Sequence, residues 1–137
     1  MQARRGELVD VLEGGSGLVA LDAADRLIGV VTWFANGDSA EVRAVGVAAT
    51  ARGRGVGRAL VDAAAGSLRA AGVRSAWLTT TNDNVAALAL YQKAGWRLKA
   101  LRVGAVDAAR QLKPSIPEIG EHGIPLRDEL QLELMLD

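Results

Sequence analysis

Alternation of apolar and polar positions divides the first half of the chain into short strands. Residues 18–21 and 27–34 are apolar runs on either side of a polar turn, which is typical of a β-hairpin. Asn36-Gly37-Asp38 contains the Asn-Gly pair that tight hairpin turns favour, and residues 41–47 continue as a third strand. The pattern therefore predicts three strands joined by two turns.

In the second half, helical periodicity alternates with strand-like runs. Within residues 57–71, Leu60, Ala64, Leu68 and Ala71 stand at i, i+4, i+8 and i+11 and are predicted to share one face. Gly72 is placed to end the helix. Residues 73–80 are predicted to form a strand. The strand–helix–strand order from residue 41 onward implies a parallel pair of strands.

A second helix is predicted to start after the cap Asn82-Asp83-Asn84 and to stop at Gly95. Residues 96–106 are predicted to be a strand and residues 107–123 to be irregular. The alternating leucines of residues 127–136 indicate a half-buried terminal strand. Together the elements predict a mixed α/β sheet.

Composition narrows the class of protein. The 137 residues fit a single domain over residues 1–137, and 16 basic residues balance 16 acidic ones, so we expect neither a nucleic-acid nor a membrane partner. The absence of cysteine and the single histidine argue against a metal site. No apolar run approaches the ~20 residues of a membrane span and no signal peptide is evident, so a cytoplasmic location is expected.

A candidate anion site follows the third strand. Three glycines at alternate positions precede a helix, and three arginines stand among them. Glycine lets the backbone approach a ligand closely, and a helix start offers free N–H groups to a phosphate. The stretch comprises Arg52, Gly53, Arg54, Gly55, Val56, Gly57 and Arg58.

Two common phosphate motifs do not fit this stretch. A dinucleotide fingerprint that starts at Gly53 would need glycine where Arg58 stands, and the Gly-Lys-Ser/Thr of a P-loop is missing. What remains, Arg52-x-x-Gly55-x-Gly57 with Val47 five residues upstream, resembles the coenzyme A pyrophosphate loop of the GNAT acetyltransferase superfamily.

A second motif of that family stands at the usual separation. Asn84-x-x-Ala87-x-x-x-Tyr91-x-x-x-Gly95-Trp96 resembles Asn-x-x-Ala-x-x-x-Tyr-x-x-x-Gly-Phe, with tryptophan at the aromatic position. Asn84 and Tyr91 are seven residues apart and therefore share a helix face.

The resemblance implies the acyl-CoA N-acyltransferase fold, a twisted mixed sheet that splays apart to hold the coenzyme. It implies acetyl-CoA as co-substrate and no metal. Tyr91 would stand near the thioester sulfur, and Asn84 would contact the pantetheine arm. The remaining positions implied to bind the coenzyme are Val45, Gly46, Val47 and the loop from Arg52 to Arg58.

The chemistry of acetyl transfer suggests roles for some of these groups. An amine with a pKa of ~10.4 needs a base to become nucleophilic, the oxyanion needs a donor such as the Val45 N–H, and the leaving thiolate needs an acid such as Tyr91. Glu41 is the favoured base, since strand alternation would place it on the face of Arg43, Val45 and Val47. Glu41 could instead be a surface residue paired with Arg43 or Arg58. The rival bases are Glu118, Glu121, His122 and Asp128.

Both ends of the chain depart from the family pattern. The glycine-rich residues 1–17 look too short for the usual first strand and helices, so we expect that strand to be missing or residues 8–12 to be its remnant. An exposed sheet edge would then favour a homodimer. The long segment 114–129 is expected to fold over the acceptor end of the groove.

The sequence thus predicts an N-acetyltransferase that acts on a small-molecule or peptide amine in a ternary complex. A non-catalytic CoA-binding module is the alternative. A nucleic-acid binder that uses the arginine loop is disfavoured by the zero net charge.

Overall fold

The computed structural model describes the strand at residues 2–6 and all of residues 15–136. The chain forms two compact units, Met1–Trp77 with Leu134–Asp137 and Leu78–Glu133. The fifth strand passes from the first unit into the second. The first unit has strands of mixed direction and the second contains an antiparallel pair, with helices between the strands.

In the first unit, four antiparallel strands follow one another in chain order, and the fifth lies parallel to the fourth. The Asn-Gly turn joins the third and fourth strands as predicted, with Gly37 at a φ of +65°. The strands are β1 (Gln2–Gly6), β2 (Ser16–Leu21), β3 (Leu27–Asn36), β4 (Ser39–Val47) and β5 (Ser75–Thr81).

Helix α1 (Val56–Ala70) connects β4 to β5 and contributes six buried apolar side chains to the core of this unit. Leu60, Ala64 and Leu68 are all buried, which confirms these three positions of the predicted face. They pack against buried strand residues such as Val31. Ala71, the fourth position, is exposed because the helix ends at Ala70. At the C-terminus, Gly72 has a φ of +81° and its N–H donates to Arg69 O at 3.1 Å, so the predicted glycine stop is confirmed.

The expectation that the first strand is missing is wrong. Strand β1 pairs antiparallel with β2 from Gln2 opposite Leu21 to Gly6 opposite Gly17. The apolar alternation that identifies a strand is absent from Gln-Ala-Arg-Arg-Gly, so pairing with β2 decides its conformation. Strand β1 covers the edge of β2 and is itself the outer strand in the sheet order, so the homodimer stays a prediction. Residues 8–12, the proposed remnant, lie outside the described residues.

In the second unit the strand order is β5-β7-β6, with β6 and β7 antiparallel. The elements are α2 (Val85–Lys93), β6 (Arg97–Arg102), α3 (Ala105–Leu112) and β7 (Glu129–Met135). Helix α2 ends as predicted at Gly95, whose φ is +97°. The N–H of Trp96 then bonds back to Tyr91 O at 2.9 Å and brings the two rings to a centroid distance of 6.2 Å.

Helix α3 occupies residues that we predicted as the end of a strand and the start of an irregular segment. Strand β6 stops at Arg102, and Gly104, with a φ of +75°, precedes the helix. Of the helix residues only Val106 is buried, whereas Leu112 is 92% exposed. Ala105, Ala108, Ala109 and Leu112 recur at i, i+3, i+4 and i+7, so the sequence carries a helical signal that the strand predicted for residues 96–106 overrode.

Candidate functional site

Half of strand β4 has a backbone edge that no described strand pairs with. Strand β5 pairs with β4 only at Ser39–Glu41. Beyond Glu41, β4 continues to Val47 and is paired on one side alone, with β3, among the described residues. This is the sheet opening that the fold prediction places beside the coenzyme.

Val45 and Val47 are the residues whose backbone groups point out of that edge. The N–H of Ala48 donates to Ile28 O at 2.8 Å, so this pair is a hydrogen-bonded one. Hydrogen-bonded pairs alternate with non-bonded pairs along an antiparallel ladder. Gly46 opposite Val30 is therefore bonded to β3, while the N–H and C=O groups of Val45 and Val47 point away from it. An extended amide chain could bind there as an added strand.

A bulge at Arg43 changes which side chains share a face of β4. Glu41 is opposite Phe34 and Ala44 is opposite Thr32, so the register shifts and Arg43 has no partner residue. Phe34 and Thr32 lie on one face of β3. Glu41 therefore shares a face with Arg43 and Ala44, and the prediction that it shares one with Val45 and Val47 is wrong.

The Glu41 carboxylate makes the ion pair that we considered as the alternative. Arg43 Nε donates to Glu41 Oε1 at 3.1 Å, and the Arg43 guanidinium carbon lies 4.8 Å from the centre of the Phe34 ring. The Arg43 side chain is 51% exposed and the Glu41 side chain is 29% exposed. If Glu41 is the base, it therefore acts with the Arg43 guanidinium as its direct neighbour.

The predicted anion loop has the backbone that a phosphate requires. Gly53 and Gly55 both have a φ of +78°, a conformation that side chains with a Cβ rarely adopt. The first backbone bond of α1 runs from Ala59 N to Gly55 O at 3.0 Å. The N–H groups of residues 56–58 therefore have no partner within the helix, and the positive end of the helix dipole lies behind them.

The three arginines of the loop are not equivalent. Arg58 Nε is paired with Asp62 Oδ2 at 2.8 Å one turn along the helix. Arg52 and Arg54 are exposed and make no ion pair with any residue of the described chain. These two side chains remain available to an anionic ligand.

Gly29 fixes the start of α1 against the sheet. A Cβ added to Gly29 would come within 2.8 Å of Leu60 Cδ1 and 2.9 Å of Val56 Cγ1. Only glycine lets the helix approach β3 this closely. An isolated glycine within a strand is a general sign of close backbone approach, and this is the signal that could have identified Gly29.

The second motif begins with the predicted helix cap. Asn84 Oδ1 accepts the N–H of Ala87 at 3.3 Å, so the side chain caps α2 and leaves its Nδ2 group without a partner in the described chain. Tyr91 is buried, its hydroxyl makes no hydrogen bond within residues 15–136, and burial raises the pKa of its phenol above the ordinary value. The phenol is therefore protonated near neutral pH, as an acid must be.

Asn82 and Asp83, which the sequence predicts only as part of a helix cap, form a network of polar contacts. Asn82 Nδ2 donates to Pro125 O at 2.8 Å, and Asn82 Oδ1 accepts the N–H groups of Arg127 and Asp128, each at 3.0 Å. Asp83 Oδ2 accepts the N–H of Glu121 at 3.0 Å. These bonds tie the connection between α3 and β7 to the residues just before Asn84.

Asp83 is buried, and a Cβ on Gly120 would come within 2.2 Å of its Oδ2. Burial alone would raise the pKa of Asp83, but the Thr81 hydroxyl and the Glu121 N–H outweigh it and hold that pKa below its usual value. The ionised carboxylate is thus the form that holds the connection in place.

The rival bases all lie in the second unit. Asp128 Oδ1 accepts the N–H of Gly104 at 2.8 Å and is committed to the start of α3. Glu118, Glu121 and His122 are exposed. Over the described part of the chain, no group of three or more acidic or histidine side chains could hold a metal, and no helix is long and apolar enough to cross a membrane.

An unpaired strand edge that leads into a glycine loop at a helix start defines the acyl-CoA N-acyltransferase class of fold. In agreement, the family model described as Acetyltransferase (GNAT) family matches residues 4–96. That match includes both motifs and more than half of the chain. The protein belongs to the GNAT family of acetyltransferases.

Similar proteins come from several bacteria. YxbD of Bacillus subtilis is 38% identical over 112 residues, which cover 82% of this chain and 69% of YxbD. A Bacillus subtilis acetyltransferase solved in complex with CoA has a TM-score of 0.84 at 26% identity, with 99% of each chain covered. A GNAT acetyltransferase from Elizabethkingia anophelis with acetyl-CoA bound has a TM-score of 0.78 at 26% identity and covers 95% of this chain and 82% of its own.

Proposed function

We propose that this protein is an N-acetyltransferase that moves the acetyl group of acetyl-CoA directly to an amine in a ternary complex. The observation that carries the proposal is the continuity of one edge. The outward amides of Val45 and Val47 are followed by one 3-10 turn at Ala49–Ala51 and then by the glycine loop and the start of α1. An amide-containing arm followed by a pyrophosphate matches that order of groups, and coenzyme A has both.

The chain offers a complement to each part of the donor. Val45 and Val47 would bond to the pantetheine amides, and Gly46 lies between them. The N–H groups from Arg52 to Arg58 would hold the pyrophosphate, with Arg52 and Arg54 adding charge. Asn84 Nδ2 is the group left to donate to the pantetheine arm.

Three groups would perform the transfer. Glu41 takes the proton of the acceptor ammonium, directly or through water, so that the neutral nitrogen can attack the carbonyl carbon. The Val45 N–H stabilises the negative oxygen that forms as the new C–N bond is made. Tyr91 donates its proton to the thiolate that leaves as the C–S bond breaks, and the second proton that the nitrogen loses on becoming an amide restores the Tyr91 phenol. The products are the N-acetylated acceptor and free CoA.

The proposal is tested by measuring thiol release from acetyl-CoA with a panel of amines and CoA binding by calorimetry. We expect turnover with at least one amine, and a decrease of about 10²- to 10⁴-fold in kcat for Glu41→Gln. Glu133→Gln is the matched control, because Glu133 is also half-buried on a strand and ion-paired, with Lys99 Nζ at 3.6 Å. CoA binding without turnover of any amine would favour the non-catalytic module.

A further inference from the structure

Arg43 is a charged side chain for which the acetyl-transfer proposal has no use. The bulge places it beside Glu41 on β4, two residues before Val45. Its guanidinium is held on two sides, by Glu41 Oε1 at 3.1 Å from Nε and by the face of Phe34 at 4.8 Å. Its two terminal nitrogens have no partner in residues 15–136. A cation that is fixed in orientation but half exposed is suited to bind an anion.

The surface next to Arg43 is open. Ala44 shares its face of β4 and is exposed, and Gly46 follows on that face without a side chain. Small residues therefore separate the guanidinium from the edge where the Val45 N–H points outward. At about 3.3 Å per residue, Arg43 and Val45 lie roughly 7 Å apart along the strand. A small acceptor could span that distance.

We infer that the acceptor is an amine that carries a carboxylate close to its nitrogen, as an α-amino acid does. This inference rests on the proposed acetyl transfer. The ammonium of such a zwitterion would pair with Glu41, and its carboxylate would take the two free nitrogens of Arg43 in a bidentate pair. The ion pair of Glu41 and Arg43 is complementary to a molecule that carries an ammonium group and a carboxylate.

The same pair disfavours other amines. A polyamine or a lysine side chain within a peptide would bring positive charge next to Arg43 with no carboxylate to balance it. The N-terminus of a protein also lacks a free carboxylate at that distance. Arg43 would therefore be a specificity-determining residue, and Phe34 a positioning residue that holds its plane.

The test compares kcat/KM for amino acids with kcat/KM for the corresponding carboxamides, by thiol release. We expect the wild-type protein to prefer the free acid by about 10- to 100-fold, the range that a hydrogen bond to a charged group gives. Arg43→Gln should reduce the preference to less than about threefold, mainly through KM for the acid. Arg43→Lys should retain part of it, since lysine keeps the charge but lacks the bidentate geometry.

The matched control is Arg26→Gln, which removes another exposed, ion-paired arginine of the first unit, bonded to Asp22 at 2.9 Å. It should leave the preference unchanged. The ratio of the two acceptors, compared across variants, cancels the different basicity of their amines. Equal use of acids and carboxamides by the wild-type protein, or an unchanged preference in Arg43→Gln, overturns this inference alone. Failure to acetylate any amine overturns the proposed function as well.

Discussion

Gly29→Ala should weaken both the fold and coenzyme binding, because one methyl group would push on the start of α1. The new Cβ would lie 2.8 Å from Leu60 Cδ1, 2.9 Å from Val56 Cγ1 and 3.2 Å from the carbonyl oxygen of Gly46. Leu60 and Val56 are 0% and 2% exposed, so neither side chain can turn out to solvent. The helix must move instead, and Val56 is its first residue.

The change in the free energy of unfolding of Gly29→Ala is the difference between two opposing effects. Overpacking a core costs about 1–3 kcal/mol, whereas replacing glycine by alanine stabilises by about 0.4–1 kcal/mol through the unfolded chain. We expect a net loss of about 1–2 kcal/mol in the free energy of unfolding, measured by urea titration. Because the shifted helix carries the N–H groups that we propose to bind the pyrophosphate, calorimetry should also show a several-fold higher Kd for CoA.

Gly66→Ala provides a control with the opposite sign. Gly66 is exposed in the middle of α1, and a Cβ there would meet nothing within 4 Å. Alanine should stabilise the helix by about 0.5–1 kcal/mol and leave the Kd for CoA unchanged. The reasoning fails if Gly29→Ala unfolds at the same urea concentration as the wild-type protein and binds CoA equally well.

Four further changes test other parts of the site. Gly55→Ala places a Cβ on a residue with a φ of +78°, a left-handed conformation that costs roughly 1–2 kcal/mol. The Kd for CoA, measured by calorimetry, should therefore rise about tenfold. An unchanged Kd would exclude the loop as the pyrophosphate site. Tyr91→Phe should lower kcat by about 10²-fold or more. Burial raises the pKa of the phenol above 10.0, so Tyr91 of the wild-type protein should stay protonated up to about pH 10. The kcat of the wild-type protein should fall only as the pH rises through the folded pKa of Tyr91. The pH profile of the variant should lack this decrease. Asp83→Ala should speed amide hydrogen exchange at Glu121, whereas Asp62→Ala on the exposed face of α1 should not. Because the folded pKa of Asp83 is below 3.8, the hydrogen bonds of its carboxylate should persist above that pH. They should be lost as the pH falls through the folded pKa. Replacing residues 114–127 by a short turn should change the preference among acceptors without changing the Kd for CoA, and an unchanged preference would remove this segment from the acceptor site.

The local signals in the sequence were sufficient for most elements of the fold. Gly72 and Gly95 end their helices in the left-handed conformation that only glycine adopts freely, and Asn84 caps α2 with its side chain. The anion loop was equally readable, since glycine spacing and a following helix specify its backbone. In each case the decisive interactions lie within a few residues of one another along the chain.

Long-range packing decided what the sequence did not determine. The bulge at Arg43 depends on the register between β3 and β4, and it moves Glu41 to the opposite face from Val45. Strict alternation, the only guide available from the chain itself, gives the wrong face once one residue is inserted. The burial of Asp83 beneath Gly120 likewise joins positions 37 residues apart.

By itself, the sequence thus determined the class of protein and the backbone of the glycine loop, because that loop and the helix caps are local structures. Tertiary structure decided which strand edge stays unpaired, which face of β4 carries Glu41 and Arg43, and how the connection after α3 is held. These features depend on strand register and on contacts between distant residues, which no short stretch of sequence encodes.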